Sequence, residues 1–171
     1  YYPNVNWIDE LIKPISGSQH ATINVSGGSE KMRYFVSGAY INQDVMYTAS
    51  NENSFNSNIN LKRYNFRTNI DMTLTPTTSL SLSLAGSLEN RNYPGESGST
   101  IFNWMQAVPP VWYPARYPDK TKIPGYAYGV ARSPEQLLAF SGYGTEYYSR
   151  VQSNMSLTQQ LDFITKGFSA K

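Results

Sequence analysis

Between Arg63 and Pro76 the chain reads RYNFRTNIDMTLTP, and its apolar and polar positions alternate strictly. Tyr64, Phe66, Thr68, Ile70, Met72 and Leu74 share one parity; Arg63, Asn65, Arg67, Asn69, Asp71 and Thr73 share the other. Successive side chains of a strand point to opposite faces, so the stretch predicts a β-strand with one oily and one polar side. A short turn, TPTTS, leads into LSLSLAGSLEN, where Leu80, Leu82, Leu84, Gly86 and Leu88 alternate with Ser81, Ser83, Ala85, Ser87 and Glu89. Pairing Leu74 with Leu80 would set Met72 by Leu82, Ile70 by Leu84 and Phe66 by Leu88. Oily then meets oily, and a one-residue slip would destroy the match.

The same signal recurs on either side. In SQHATINVSGG, Ala21, Ile23 and Val25 alternate with His20, Thr22, Asn24 and Ser26; GGSEK supplies a tight turn; MRYFVSGAYI follows with Tyr34, Val36, Gly38 and Tyr40 on the oily side. From Thr145 the alternation returns, with Tyr147, Val151, Met155, Leu157, Leu161 and Phe163 against Arg150, Gln152, Asn154, Thr158, Gln160 and Asp162. It ends at the short turn TKG, after which FSAK begins another strand. Three helices punctuate the pattern. Asn6 caps NWIDELIK, which is expected to run to Lys13 and stop at Pro14. STIFNWMQ predicts a helical turn. SPEQLLAFSG predicts a helix with Ser133 as N-cap, Pro134 at its first position, Gln136 completing a capping box and Gly142 ending it.

The connections alternate short, long, short, very long, short. A soluble sandwich has no reason for this, whereas a membrane barrel has short turns at one end and long loops at the other. A tilted spanning strand needs about 9–11 residues, which these strands supply. Tyr40, Tyr64, Phe66 and Tyr147 would lie near one interface, Tyr34 and Phe163 near the other, with aliphatic residues between. Ser149, Ser153 and Gln159 depart from this by sharing the oily parity of the last long strand. The fold class expected is therefore all-β: an antiparallel up-and-down transmembrane β-barrel, partial, with about five strands plus the start of another. Residues 1–16 would be a linker with a short helix. Residues 17–171 would be barrel, with extracellular loops at about 42–60 and 91–144. Such barrels need about 8 strands or more, so the chain, which opens YYPNVNW and closes inside a new strand, is expected to be a piece of a longer one.

Composition narrows the functions. Charged residues are 15% and aromatics 14%, led by 14 Tyr, with a mean hydropathy of −0.47. Ser, Thr, Asn, Gln and Tyr supply the polarity, as a wetted but weakly charged face requires. A net charge of +2 with scattered Lys and Arg gives no argument for nucleic acid. There is no Cys, hence no disulfide and no thiolate metal site. The one histidine, His20, shares a face with Thr22 and Asn24 and has no partners for catalysis. Asp and Glu show no metal-ligand spacing, and SGGSEK lacks the phosphate-loop pattern. No enzyme activity and no cofactor is expected.

The run from Trp7 to Tyr40 resembles the start of the barrel in SusC/RagA-type TonB-dependent transporters of Bacteroidota. The residues that carry the likeness are Trp7, Ser26, Gly27, Gly28, Glu30, Lys31, Tyr34, Phe35, Ser37 and Tyr40; Lys62–Arg63–Tyr64 and LDFITKG, Leu161 to Gly167, add to it. It is weakest from Arg91 to Thr145. The resemblance implies a large outer-membrane barrel filled by an upstream plug, driven through TonB and lidded by a SusD-like surface lipoprotein, importing glycans or peptides. None of the energy-coupling residues would lie in this chain. A soluble all-β carbohydrate-binding module, or a non-transporting outer-membrane porin or adhesin, stands as the alternative.

Three groups of residues are candidates for contact. Tyr64, Phe66, Ile70, Met72, Leu82 and Leu84 would face outer-membrane lipid. Arg63, Arg67, Asp71 and Glu89 would face the lumen, with Arg63 near Glu89. Trp104, Trp112, Tyr113, Tyr117, Tyr126 and Tyr128, in the long aromatic loop, are candidates for substrate or partner binding, since exposed aromatics stack on sugars or pack on proteins. Self-packing of a large loop explains them equally well.

Overall fold

The computed structural model describes residues 2–48, 59–112, 114–119, 124 and 132–171. Six strands pair in sequence order in one up-and-down sheet: β1 (Ser18–Gly28), β2 (Met32–Asp44), β3 (Asn60–Thr75), β4 (Thr78–Pro94), β5 (Tyr143–Gln160) and β6 (Ser169–Ala170). Among the described residues three helices accompany them: α1 (Trp7–Leu11), α2 (Gly98–Ala107) and α3 (Pro134–Phe140). The antiparallel partial barrel expected from the alternation is what forms, open at β1 and β6. The chain divides into two compact units. One is Tyr1–Ser18, Gln43–Leu61 and Asn90–Glu146; the other is Gln19–Asn42, Lys62–Glu89 and Tyr147–Lys171.

The first unit holds the helices and the apolar core. Trp7, Leu11, Ile101, Met105, Val108, Leu137 and Leu138 cluster there, with Ile101 wholly buried and Trp7 2% exposed. Ile101 and Met105, one helical turn apart, give α2 its buried stripe, and Val108 at the C-cap extends it. The Asn6 side chain accepts from the Ile8 N–H at 3.2 Å and so caps α1. The helix stops at Leu11 rather than Lys13. Ile12 turns extended and bridges to Tyr47, and the Leu11 carbonyl accepts from the Thr48 N–H at 2.8 Å. A strand-like partner thus takes the chain before Pro14 can end the helix. In α3, Ser133, Pro134 and Gly142 take their expected places, Gly142 at φ 100°. The capping box does not form: the Ser133 hydroxyl and the Gln136 carbonyl oxygen are both buried without a hydrogen-bond partner.

The second unit is sheet and turns, and it has no core. Its one buried residue is Gly86. Ser29 donates its N–H to the Met32 carbonyl at 2.7 Å in the β1–β2 turn, and only Pro76 and Thr77 separate β3 from β4. Adjacent turns are tied together, Thr73 N–H to Lys31 carbonyl at 2.8 Å and Gln160 N–H to Thr77 carbonyl at 2.7 Å. The β5–β6 connection is longer than the expected TKG turn. It opens at Leu161, where the Leu161 N–H donates to the Phe168 carbonyl and the Asp162 carboxylate accepts from the Gly167 N–H. Phe163 therefore lies in a turn and not in the strand.

The β3–β4 register also differs from the expected one, by two residues. The Ser81 hydroxyl donates to Asp71 at 2.7 Å, the Ser83 hydroxyl to Asn69 at 2.9 Å, Arg63 meets Glu89, and the Phe66 ring lies over Gly86. All four contacts share one offset, which sets Ile70 by Leu82 and Met72 by Leu80. Pairing Leu74 with Leu80 would need a longer loop than the two residues present. Because side chains repeat every two residues, the shift keeps each face intact.

Candidate functional site

The two faces of the second unit are chemically opposite. On one lie Tyr64, Phe66, Ile70, Met72, Leu82 and Leu84, as the alternation requires. They continue across β5 as Tyr147, Val151 and Met155 and across β1 as Ile23 and Val25. Among the described residues no element packs over this face, although Ile70, Met72, Leu82 and Leu84 are half-buried by their neighbours in the sheet. Val151 is 64% exposed, Met155 72% and Phe66 42%. A buried side chain of this size contributes about 1.5–3 kcal/mol, so a whole face left in water would forfeit most of the stabilisation its sequence offers. Contiguous exposed apolar surface of this kind marks a membrane or protein interface. The Tyr40 and Tyr64 rings sit 5.1 Å apart at the end of this face away from the short turns.

The other face is polar and partly charged. Arg63 reaches Glu89 with both Nη2, at 2.6 Å, and Nε, at 2.7 Å. The Arg63 side chain is 38% exposed, so the pair adds at most about 1 kcal/mol. Asp71 is engaged by Ser81, two steps beyond the Asn69–Ser83 contact. Arg67 is exposed and joins no carboxylate among the described residues. Between β4 and β5, Thr78 donates to Gln159 at 2.6 Å and Thr145 to Asn92 at 2.8 Å. That shared offset places Arg150 beside Ser87 and Tyr148 beside Glu89. A 310 Å³ hollow opens on this face, with Arg67, Arg150, Asn65, Ala85 and Ser87 among the residues that line it. A neighbouring 490 Å³ hollow is shared by Arg63, Glu89, Tyr148 and Arg150.

In the first unit Trp104 packs against the apolar core, whereas Trp112 and Tyr117 are exposed. Tyr113, Tyr126 and Tyr128 lie outside the described residues. Glu135 is buried, and its carboxylate accepts from Arg116 at 3.0 Å. Burial of the Tyr47 hydroxyl, which donates to the Gly98 carbonyl at 3.0 Å, raises its pKa above the usual 10.0.

No protein-family model and no curated protein matches this chain. Solved structures do. A structure of the RagAB peptide transporter superposes with a TM-score of 0.61 at 19% identity, over 93% of this chain and 17% of the other. The RagAB peptide importer in a closed-closed state gives 0.54 at 17% identity, over 94% and 21%. The fold is that of part of a RagAB transporter barrel. The chain thus spans about a fifth of the transporter chains it matches.

Against a barrel wall the two faces have an order. An up-and-down sheet that closes on itself turns one face outward and the other in. The described residues hold no cluster of three or more His, Cys, Asp or Glu that could bind a metal. No helix among them is long and apolar enough to cross a membrane, which says nothing of strands. Arg150, Tyr148, Asn65 and Ser87 join the polar face beside the four residues singled out by sequence. Asn65 and Ser87 follow from parity within β3 and β4; the position of Tyr148 and Arg150 beside Arg63, Arg67 and Glu89 depended on the β4–β5 register, which a long connection leaves open.

Proposed function

We propose that the chain forms part of the wall of an outer-membrane, TonB-dependent importer. Its oily face, Tyr64, Phe66, Ile70, Met72, Leu82 and Leu84, meets lipid; its polar face, Arg63, Arg67, Asp71 and Glu89, lines the interior. A SusD-like surface lipoprotein lids the barrel, and glycans or peptides are the cargo. One observation carries this reading above the others: a long-stranded sheet with a coreless, uncovered apolar face has the fold of a RagAB transporter segment. The likeness to structures of a peptide transporter supports import, and favours peptide among the cargoes. Chemistry on the substrate is no part of the proposal. The exposed Trp112 and Tyr117 are offered as contacts for cargo or for the lipoprotein.

The test is made on the full-length protein in its own cell. Membranes are washed with alkaline carbonate and then with detergent, and uptake of labelled oligosaccharides and oligopeptides is followed with and without TonB. The proposal expects release by detergent alone and uptake that stops without TonB. Release by carbonate would end it in favour of a soluble binding module, and TonB-independent passage in favour of a porin.

A further inference from the structure

The arginines of this chain fall into two sets. Arg63, Arg91, Arg116 and Arg132 each have a carboxylate within ion-pair distance: Glu89, Glu146, Glu135 and Glu96 respectively. Arg33, Arg67 and Arg150 have none among the described residues, and the last two border the same 310 Å³ hollow on the polar face. These two stand on β3 and β5, with β4 between them. There β4 carries Ala85 and Ser87, side chains too short to fill the gap. Asn65 and Ser87 add an amide and a hydroxyl to its walls.

We propose that this hollow is a binding site for a carboxylate group of the cargo. The guanidinium is planar, always charged and matched in shape to a carboxylate, which it holds through two parallel hydrogen bonds. Two arginines on the strands either side of β4, with small residues between, leave room for a group seated between both. Ser87 and Asn65 supply further donors to its oxygens. The volume lies at the low end of small-molecule sites, suited to one sugar ring or a short peptide end. Two sources carry this chemistry: the uronic acid of an acidic oligosaccharide, and the carboxylate of a peptide. The site rests on the importer reading only in that cargo must reach the inner face.

Binding is measured at equilibrium on the full-length protein in detergent. The probes are trigalacturonate and its methyl ester, and a tripeptide with a free C-terminus and its C-terminal amide. Wild type is compared with the double variant Arg67→Gln/Arg150→Gln and with Arg33→Gln, which borders a separate hollow. Equal heat-modified gel mobility of the three proteins shows that each is folded. In wild type at least one acid probe should bind tenfold or more tightly than its neutral partner, and less so as salt rises. The double variant should lose that preference, and Arg33→Gln should keep it. Preference for trigalacturonate alone assigns the site to acidic sugars, and for the free tripeptide alone to peptides. Equal binding of acid and neutral probes, or a preference unchanged in the double variant, overturns the proposal. Acid-selective binding without cellular uptake would leave this site standing and reject the importer reading instead.

Discussion

Ile70→Arg and Asn69→Arg are adjacent substitutions that the two-faced sheet separates sharply. Ile70 is midway between Tyr64, at the aromatic end of the oily face, and Pro76 at the turn. Six residues at about 3.3 Å each, tilted by about 40°, place it roughly 15 Å from either end, half of a hydrocarbon layer about 30 Å thick. An arginine at that depth costs about 2–4 kcal/mol on a barrel's lipid face. Asn69 is one position on, facing inward, and its Oδ1 accepts from the Ser83 hydroxyl at 2.9 Å. Asn69→Arg forfeits that hydrogen bond, about 1 kcal/mol, but its guanidinium stays in water. Both variants are refolded into phosphatidylcholine vesicles over a urea series, with the heat-modified shift on gels reading the folded fraction. Ile70→Arg should move the midpoint by the larger amount, and Asn69→Arg by about half of it or less. Equal damage from both would refute the assignment of the faces.

Three further outcomes follow from particular contacts. A Cβ at Gly86 would collide with the Phe66 ring, so Gly86→Val should cost about 1–3 kcal/mol, and Phe66→Ala should restore part of it in a double-mutant cycle. Ile101→Ala, at the centre of the first unit's core, should cost about 2–5 kcal/mol by chemical denaturation while leaving membrane insertion unchanged. The raised pKa of Tyr47 favours its neutral form in the fold, so its contribution is complete below pH 10 and is lost as pH rises through the higher folded value. Tyr47→Phe should remove that alkaline loss, read as the slope of the melting temperature between pH 9 and 12.

Sequence alternation carried the architecture because each strand presents an apolar side and a polar side. Parity sorted Tyr64 to Leu74 onto the two faces of one continuous strand and grouped Arg63 with Glu89, which meet at 2.6 Å. What alternation cannot specify is a shift by a whole period, and the β3–β4 register was missed by that amount. The polar contacts Asp71–Ser81, Asn69–Ser83 and Arg63–Glu89, not the leucine ladder, mark the register that forms. The helix ends were set by tertiary partners: Met46–Thr48 draws Ile12 out of α1, and burial silences the Ser133 cap. Arg150 was missed as a neighbour of Arg67 because residues far apart in the chain meet only through β4. Trp104 carried the same aromatic signal as Trp112, yet packing turned it to the core.

The central claim is that one face of this sheet meets lipid and the other water. The chain contains no cysteine, so single cysteines can be introduced from Phe66 to Met72 in the full-length protein, with any native thiols removed, and spin-labelled in vesicles. Collision with molecular oxygen and with a water-soluble nickel chelate is then read at each position. The account predicts oxygen dominant at 66, 68, 70 and 72 and the chelate dominant at 67, 69 and 71. Chelate access at all seven positions, without alternation, would contradict it.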